Sequence, residues 1–120
     1  MKQLPEKIEN IVQEFINKVY ELLGTRAKKI ILYGSYARGD YNDNSDIDIM
    51  ILTGLTDDEI IKYRDCVTDI AYDIEEIYNF DIMLSPLVKN IDKFNYWLEA
   101  LPFYMNVQKE GVVLSESKNI

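Results

Sequence analysis

A glycine–serine pair, two aspartates two positions apart and a third aspartate further along are the residues here that could do chemistry together. Gly34-Ser35 is followed, after ten residues, by Asp46-Ile47-Asp48, and Asp81 interrupts the later apolar run Phe80-Asp81-Ile82-Met83-Leu84. On a strand, alternate side chains go to opposite faces, so Asp46 and Asp48 share one face roughly 6.5–7 Å apart. Ile47, Ile49 and Ile51 then bury the other. Two carboxylates side by side repel, and each is costly in a partly buried site unless a cation compensates. Hard oxygen ligands beside a phosphate site suit Mg²⁺, and two such ions can clamp the attacking and leaving oxygens of an in-line displacement.

The elements that must position these groups come next. Ile30-Ile31-Leu32-Tyr33 is a short apolar run cut off by Gly34, the pattern of a strand buried on both faces. Gly34 allows a sharp turn and close approach of a ligand. Ser35 is expected to cap a turn of helix, Tyr36-Ala37-Arg38, that Gly39 ends. Such a helix start presents free N–H groups to phosphate oxygens. Arg38 adds a fork-shaped cation that either grips phosphate or forms a surface ion pair. In the polar loop 39–45, Asp40 and Asp43 read as turn residues ahead of extra metal ligands, and Ser45 either orients Asp46 or serves the turn.

These residues resemble the signature of the DNA polymerase β-like nucleotidyltransferase superfamily. The string GSYARGD…SDIDIMI is similar to its minimal nucleotidyltransferase branch. The likeness runs from about Lys28 to Leu84, with a weaker echo in Glu110-Gly111-Val112-Val113-Leu114. It implies a small α/β (α+β) fold, with a mixed sheet of about four strands and helices packed on it. It also implies a third acid on a neighbouring strand, for which Asp81 is the match. Gly34, Ser35 and Arg38 would then hold the triphosphate of ATP or another NTP. Asp46, Asp48 and Asp81 would hold two Mg²⁺, and Asp81 would help deprotonate a hydroxyl acceptor. Members of the minimal branch often pair with a small helical partner of the HEPN type, in some pairs as an antitoxin that transfers AMP to a tyrosine of that toxin. The alternatives are a nucleotide-binding module that neutralises its partner by contact alone, and a small-molecule nucleotidyltransferase working as a homodimer.

Composition bounds the rest. At 120 residues and 48 % hydrophobic content, the chain reads as one domain over 1–120, with 115–120 a frayed tail. It contains no histidine, which excludes Ser-His-Asp triads and His-based metal sites. The single Cys66 cannot make an intrachain disulfide and reads as a packing residue in a helical pattern. A net charge of −8 argues against nonspecific nucleic-acid binding and demands a divalent metal to hold an anionic nucleotide. Gly34 and Gly39 have P-loop spacing, but Asp40-Tyr41 stand where Lys and Ser/Thr belong, so that class of ATPase is excluded. With no membrane-length apolar run and no signal-peptide core, the default expectation is a cytoplasmic protein.

Helical spacing of Ile8, Ile11, Val12, Phe15, Ile16 and Val19 predicts a helix over 5–23. A second is predicted over 57–77, with Ile60, Tyr63, Val67, Ile70, Ile74 and Ile77 as its core stripe and its acids on a solvated face. Residues 79–84 read as a strand ended by Ser85-Pro86 and 88–100 as a helix, while Tyr96, Trp97, Phe103 and Tyr104 around Pro102 read as core or partner packing ahead of base stacking, and 112–114 as a short last strand.

Overall fold

A computed structural model describes residues 4–116 of the chain. Helix α1 (Glu6–Leu23) leads through a short 3-10 turn into strand β1 (Ala27–Tyr33). A single turn of helix, α2 (Ser35–Arg38), and a loop follow, then β2 (Ile47–Thr53) and the long α3 (Asp57–Ile77). Strand β3 (Leu84–Asn90), the pair α4 (Ile91–Trp97) and α5 (Pro102–Glu110), and β4 (Val112–Glu116) complete it. The strands form one mixed sheet in the order β3-β2-β1-β4. The β1 strand is antiparallel to both β2 and β4, whereas β2 and β3 run parallel. The small mixed α+β fold expected from the sequence is the one observed.

Both faces of the sheet are covered. On one, Ile30, Leu32, Ile47, Ile49 and Ile51 pack against the apolar stripes of α1 and α3. Each such side chain contributes about 1.5–3 kcal/mol by leaving water. On the other, Ile31, Met50 and Leu52 are closed over by Phe94 of α4 and Val107 of α5. Alternation therefore puts Asp48 on the α4/α5 face, just beyond the covered part of it.

Four expectations about the elements are corrected. The strand predicted over 79–84 begins at Leu84 and carries Ser85 and Pro86 inside it. Pro86 is tolerated because β3 is an edge strand. Residues 79–81 instead belong to the helix ending, and 82–83 form a short irregular link to the strand. Asn79 N–H donates to the Glu76 carbonyl and Phe80 N–H to the Glu75 carbonyl, with φ near +57° and +58°, a Schellman ending built without glycine. The helix predicted over 88–100 is shortened to α4, and α5, which the sequence reading left as packing surface, starts with Pro102 at its first position. Strand β4 extends through Ser115 and Glu116, tied by a Tyr20–Ser115 hydroxyl hydrogen bond of 2.6 Å; 117–120 lie outside the described residues.

Three residues of α3 also differ from their sequence reading, the first being Ile77, expected in the core stripe but exposed. Cys66 is exposed rather than packed, since it falls between stripe positions. Glu75, read as part of a solvated face, is buried, and its carboxylate accepts the Leu84 N–H at 2.8 Å. That bond ties the end of α3 to the start of β3. Among the described residues no helix is long and apolar enough to cross a membrane.

Candidate active site

Strand β1 ends at Tyr33, opposite Asp48 in the antiparallel register. The backbone then turns through Gly34 at φ 77°, ψ −156°, a region that is essentially glycine-only. A Cβ at this position would collide with the Asp48 carboxylate. The absent side chain is therefore what lets the carboxylate lie against the turn. Gly34, rather than Ser35, occupies the capping position of α2, and no side chain caps that helix. The Ala37 and Arg38 N–H groups both donate to the Gly34 carbonyl. The amides of Ser35 and Tyr36 have no partner within the helix and are available, with the Ser35 hydroxyl, to an anion.

Tyr33, Gly34, Ser35, Arg38 and Asp48 line one side of a cleft of about 340 Å³. Phe103, Asn106, Val107 and Glu110 of α5 line the other. That volume lies within the usual range for small-molecule sites, roughly 300–1,000 Å³. Phe103 meets the Tyr33 ring edge-on, with centroids 5.6 Å apart. The sequence reading singled out the aromatics around Pro102 but missed the helix that carries them and its place beside the turn. The usable signal was Pro102 at the start, Tyr104 and Val107 three residues apart, and Gly111 at the end, a short helix bounded at both ends.

The electrostatics converge on Asp48. Burial, and then the neighbouring Asp46, push its carboxyl above the ordinary value, and Arg38 draws it partly back. Burial, with the Asp48 charge second, pushes the Tyr33 phenol up to about 12, so it stays protonated at neutral pH. Asp46 is exposed, immediately before the first residue of β2. A half-buried carboxylate beside a second carboxylate is a hard donor set with unmet negative charge, which fits a divalent cation. Among the described residues no third acid joins them in a group that could hold a metal.

The remaining candidates take definite places. Asp81 lies in the turn before β3, not on the strand, because the left-handed Asn79 and Phe80 extend the helix ending as far as it. It is at the same end of the sheet as Asp46, since the Ile47 N–H donates to the Met83 carbonyl and Ile47 stands opposite Leu84. Its carboxylate faces Lys7 of α1 at 3.6 Å, with 65 % of the Asp81 side chain exposed. Ser45 serves the turn, its hydroxyl accepting the Asn42 N–H at 2.9 Å. Tyr41 stacks on the buried Tyr36 at 4.5 Å and pins the loop to α2. Arg38 is held by carboxylates, Asp40 on Nε and Glu110 on Nη1, each at 3.2 Å.

The model of the nucleotidyltransferase domain matches residues 9–111. Two Methanocaldococcus jannaschii proteins, each named "Putative protein adenylyltransferase", are similar to the chain. One is 36 % identical over 106 residues, covering 88 % of this chain and 96 % of that protein. The other is 33 % identical over 84 residues, covering 68 % and 79 %. Among solved structures, a nucleotidyltransferase-described protein of Sulfolobus solfataricus superposes with a TM-score of 0.54 at 19 % identity, over 97 % of this chain and 92 % of that one. A chain of the toxin–antitoxin MntA-HpeT gives 0.52 at 21 % identity, over 86 % and 72 %. A chain of a toxin–antitoxin with AMP-PNP gives 0.50 at 24 % identity, over 87 % and 73 %. At these identities the solved structures speak to the fold.

Proposed function

The chain belongs to the nucleotidyltransferase domain family, and from that premise we propose that it moves AMP from ATP to a hydroxyl of a protein acceptor, with Mg²⁺. One observation carries the reading. The Asp48 carboxylate lies against the Gly34-Ser35 turn inside a cleft, so a metal-binding acid and a phosphate-binding backbone face the same space. Relatives named as protein adenylyltransferases support AMP and a protein acceptor over other choices. Toxin–antitoxin neighbours in the fold support a toxin partner; a tyrosine of a small HEPN-type protein is the specific form that the sequence resemblance implies.

In this reading the Ser35 and Tyr36 amides and the Ser35 hydroxyl bind the triphosphate, and Arg38 adds charge beside them. Asp46 and Asp48 would hold Mg²⁺, which when bound supplies charge neutralisation and a Lewis acid at the phosphates. The acceptor oxygen attacks the α-phosphorus, the bond to the bridging oxygen of pyrophosphate breaks, and the hydroxyl proton passes to a carboxylate. Asp81 is the group proposed to take it. Its pairing with Lys7 is exposed, and such pairs are worth about 0–1 kcal/mol, so the carboxylate is not firmly committed there. Positioning and charge neutralisation carry most of the rate in such transfers.

The test is incubation with labelled ATP, Mg²⁺ and the partner encoded beside this chain or a cell lysate, followed by intact mass. A protein gaining one or more AMP units is expected, and no labelled protein under any condition would count decisively against transfer. The place of Asp81 in a turn beside Lys7 favours one second reading, a nucleotide-binding module that neutralises its partner by contact. Asp81→Asn separates the two. Under the transfer reading it retains ATP binding and loses AMP transfer; under the contact reading it protects against the partner as well as the parent does.

A further inference from the structure

We propose that Glu110 is a positioning residue for Arg38, fixing the guanidinium over the triphosphate end of the cleft before any ligand arrives. This rests on the nucleotide-binding reading of the same cleft. The two residues are 72 positions apart in sequence, and both line the cleft that holds Asp48 and Ser35. Asp40 accepts from Nε and Glu110 from Nη1, so two of the five guanidinium donors are spent on carboxylates. Three N–H groups remain, including both on Nη2, enough for a two-pronged grip on phosphate oxygens. Arginine is a flexible side chain whose rotamer freedom opposes ligand binding; here much of that freedom is already removed in the folded chain.

The position of Glu110 is itself set by tight packing. Gly111 has no room for a side chain: a Cβ there would collide with the Val107 carbonyl and the Ile31 side chain. Its N–H donates to the Val107 carbonyl at 2.8 Å. The next residue, Val112, already pairs with Leu32 of β1, two residues before Gly34. The last residue of α5 is thus locked in register with the strand that delivers the glycine–serine turn.

A charge argument alone predicts the opposite sign, which makes the proposal testable. Glu110 is an anion at an anion site, so simple repulsion says that removing it tightens ATP binding. Positioning says that Glu110→Ala weakens Mg²⁺–ATP binding, measured by titration calorimetry, by about two- to fivefold, the scale of one exposed ion-pair contact. Glu110→Gln, which keeps an acceptor oxygen, should recover most of the affinity. In the Arg38→Ala background, Glu110→Ala should add no further loss, because its effect runs through the arginine. All variants should melt close to the parent, since both groups are exposed. Tighter binding by Glu110→Ala, or losses that multiply in the double variant, overturns the proposal while leaving nucleotide binding in place. A parent that binds no Mg²⁺–ATP overturns the nucleotidyltransferase reading and this one with it.

Discussion

Folding makes the charge on Asp48 harder to hold. Burial and the neighbouring Asp46 raise its pKa, so between the unfolded and folded values the native state binds more protons. Stability contributed by this group is therefore highest in acid and falls as pH rises from near 3.8, its ordinary value, through the raised one. In metal-free buffer Asp48→Asn is expected to melt above the parent at pH 7, with the gap closing below pH about 4, while AMP transfer is lost. Thermal unfolding across pH with EDTA checks this, and a variant less stable than the parent at pH 7 contradicts it. Gly34 is the other residue whose chemistry and conformation are inseparable. Gly34→Ala adds strain at a glycine-only φ/ψ and pushes a methyl into the Asp48 carboxylate, so urea unfolding should show a loss of roughly 1–3 kcal/mol along with transfer.

The junction between α3 and β3 shows how an element boundary is fixed from inside. Thr56 and Glu59 start α3 with a reciprocal capping box, and two left-handed residues end it. The chain must then re-enter the sheet parallel to β2, at an edge where the Leu84 N–H would otherwise go unpaired. Glu75 supplies the acceptor from the last turn of the helix. Glu75→Ala should therefore cost about 1–3 kcal/mol, the usual penalty for a buried donor left without a partner. Denaturant unfolding reads this directly, and a change within about 0.5 kcal/mol, the range of an ordinary surface substitution, would show that the bond contributes little. The α5 element matters for a different reason. It closes the second core with Val107, forms a wall of the cleft with Phe103 and Asn106, and ends on Glu110.

For the molecule as a whole, a net charge of −8 surrounds a cleft whose lining includes one cation, Arg38. A free triphosphate approaching it meets repulsion that a bound divalent ion reverses. Mg²⁺ with ATP should raise the melting temperature, by mass action on the native state, and EDTA should abolish that rise. ATP stabilising equally well with EDTA present would show that the carboxylates do not act through a metal. The same charge disfavours a polynucleotide acceptor, which binds through lysine and arginine contacts to phosphate. A protein acceptor needs no such field.

Much of this was local enough for the sequence to settle. Gly34 had to be glycine for its backbone, and the stripes of α1 and α3 declared most of their buried sides; Asp46 and Asp48 were expected on one strand face, but β2 begins at Ile47, which leaves Asp46 just before it. The acid pair and the turn were read from spacings of two to ten residues, within which covalent geometry dictates placement, whereas the mixed α+β class was what the family resemblance implied. What lay beyond that range needed the packed chain. The left-handed Asn79 and Phe80 ended the helix late enough to keep Asp81 off the sheet, and the Glu75–Leu84 bond joins that ending to the start of β3. Neither the wall contributed by α5 nor the Arg38–Glu110 pair is visible in spacing, because contacts 72 residues apart are set by how β4 registers on β1 and where Gly111 lets the chain pass. Local chemistry chose the site's reactive groups; only tertiary packing decided what faces them.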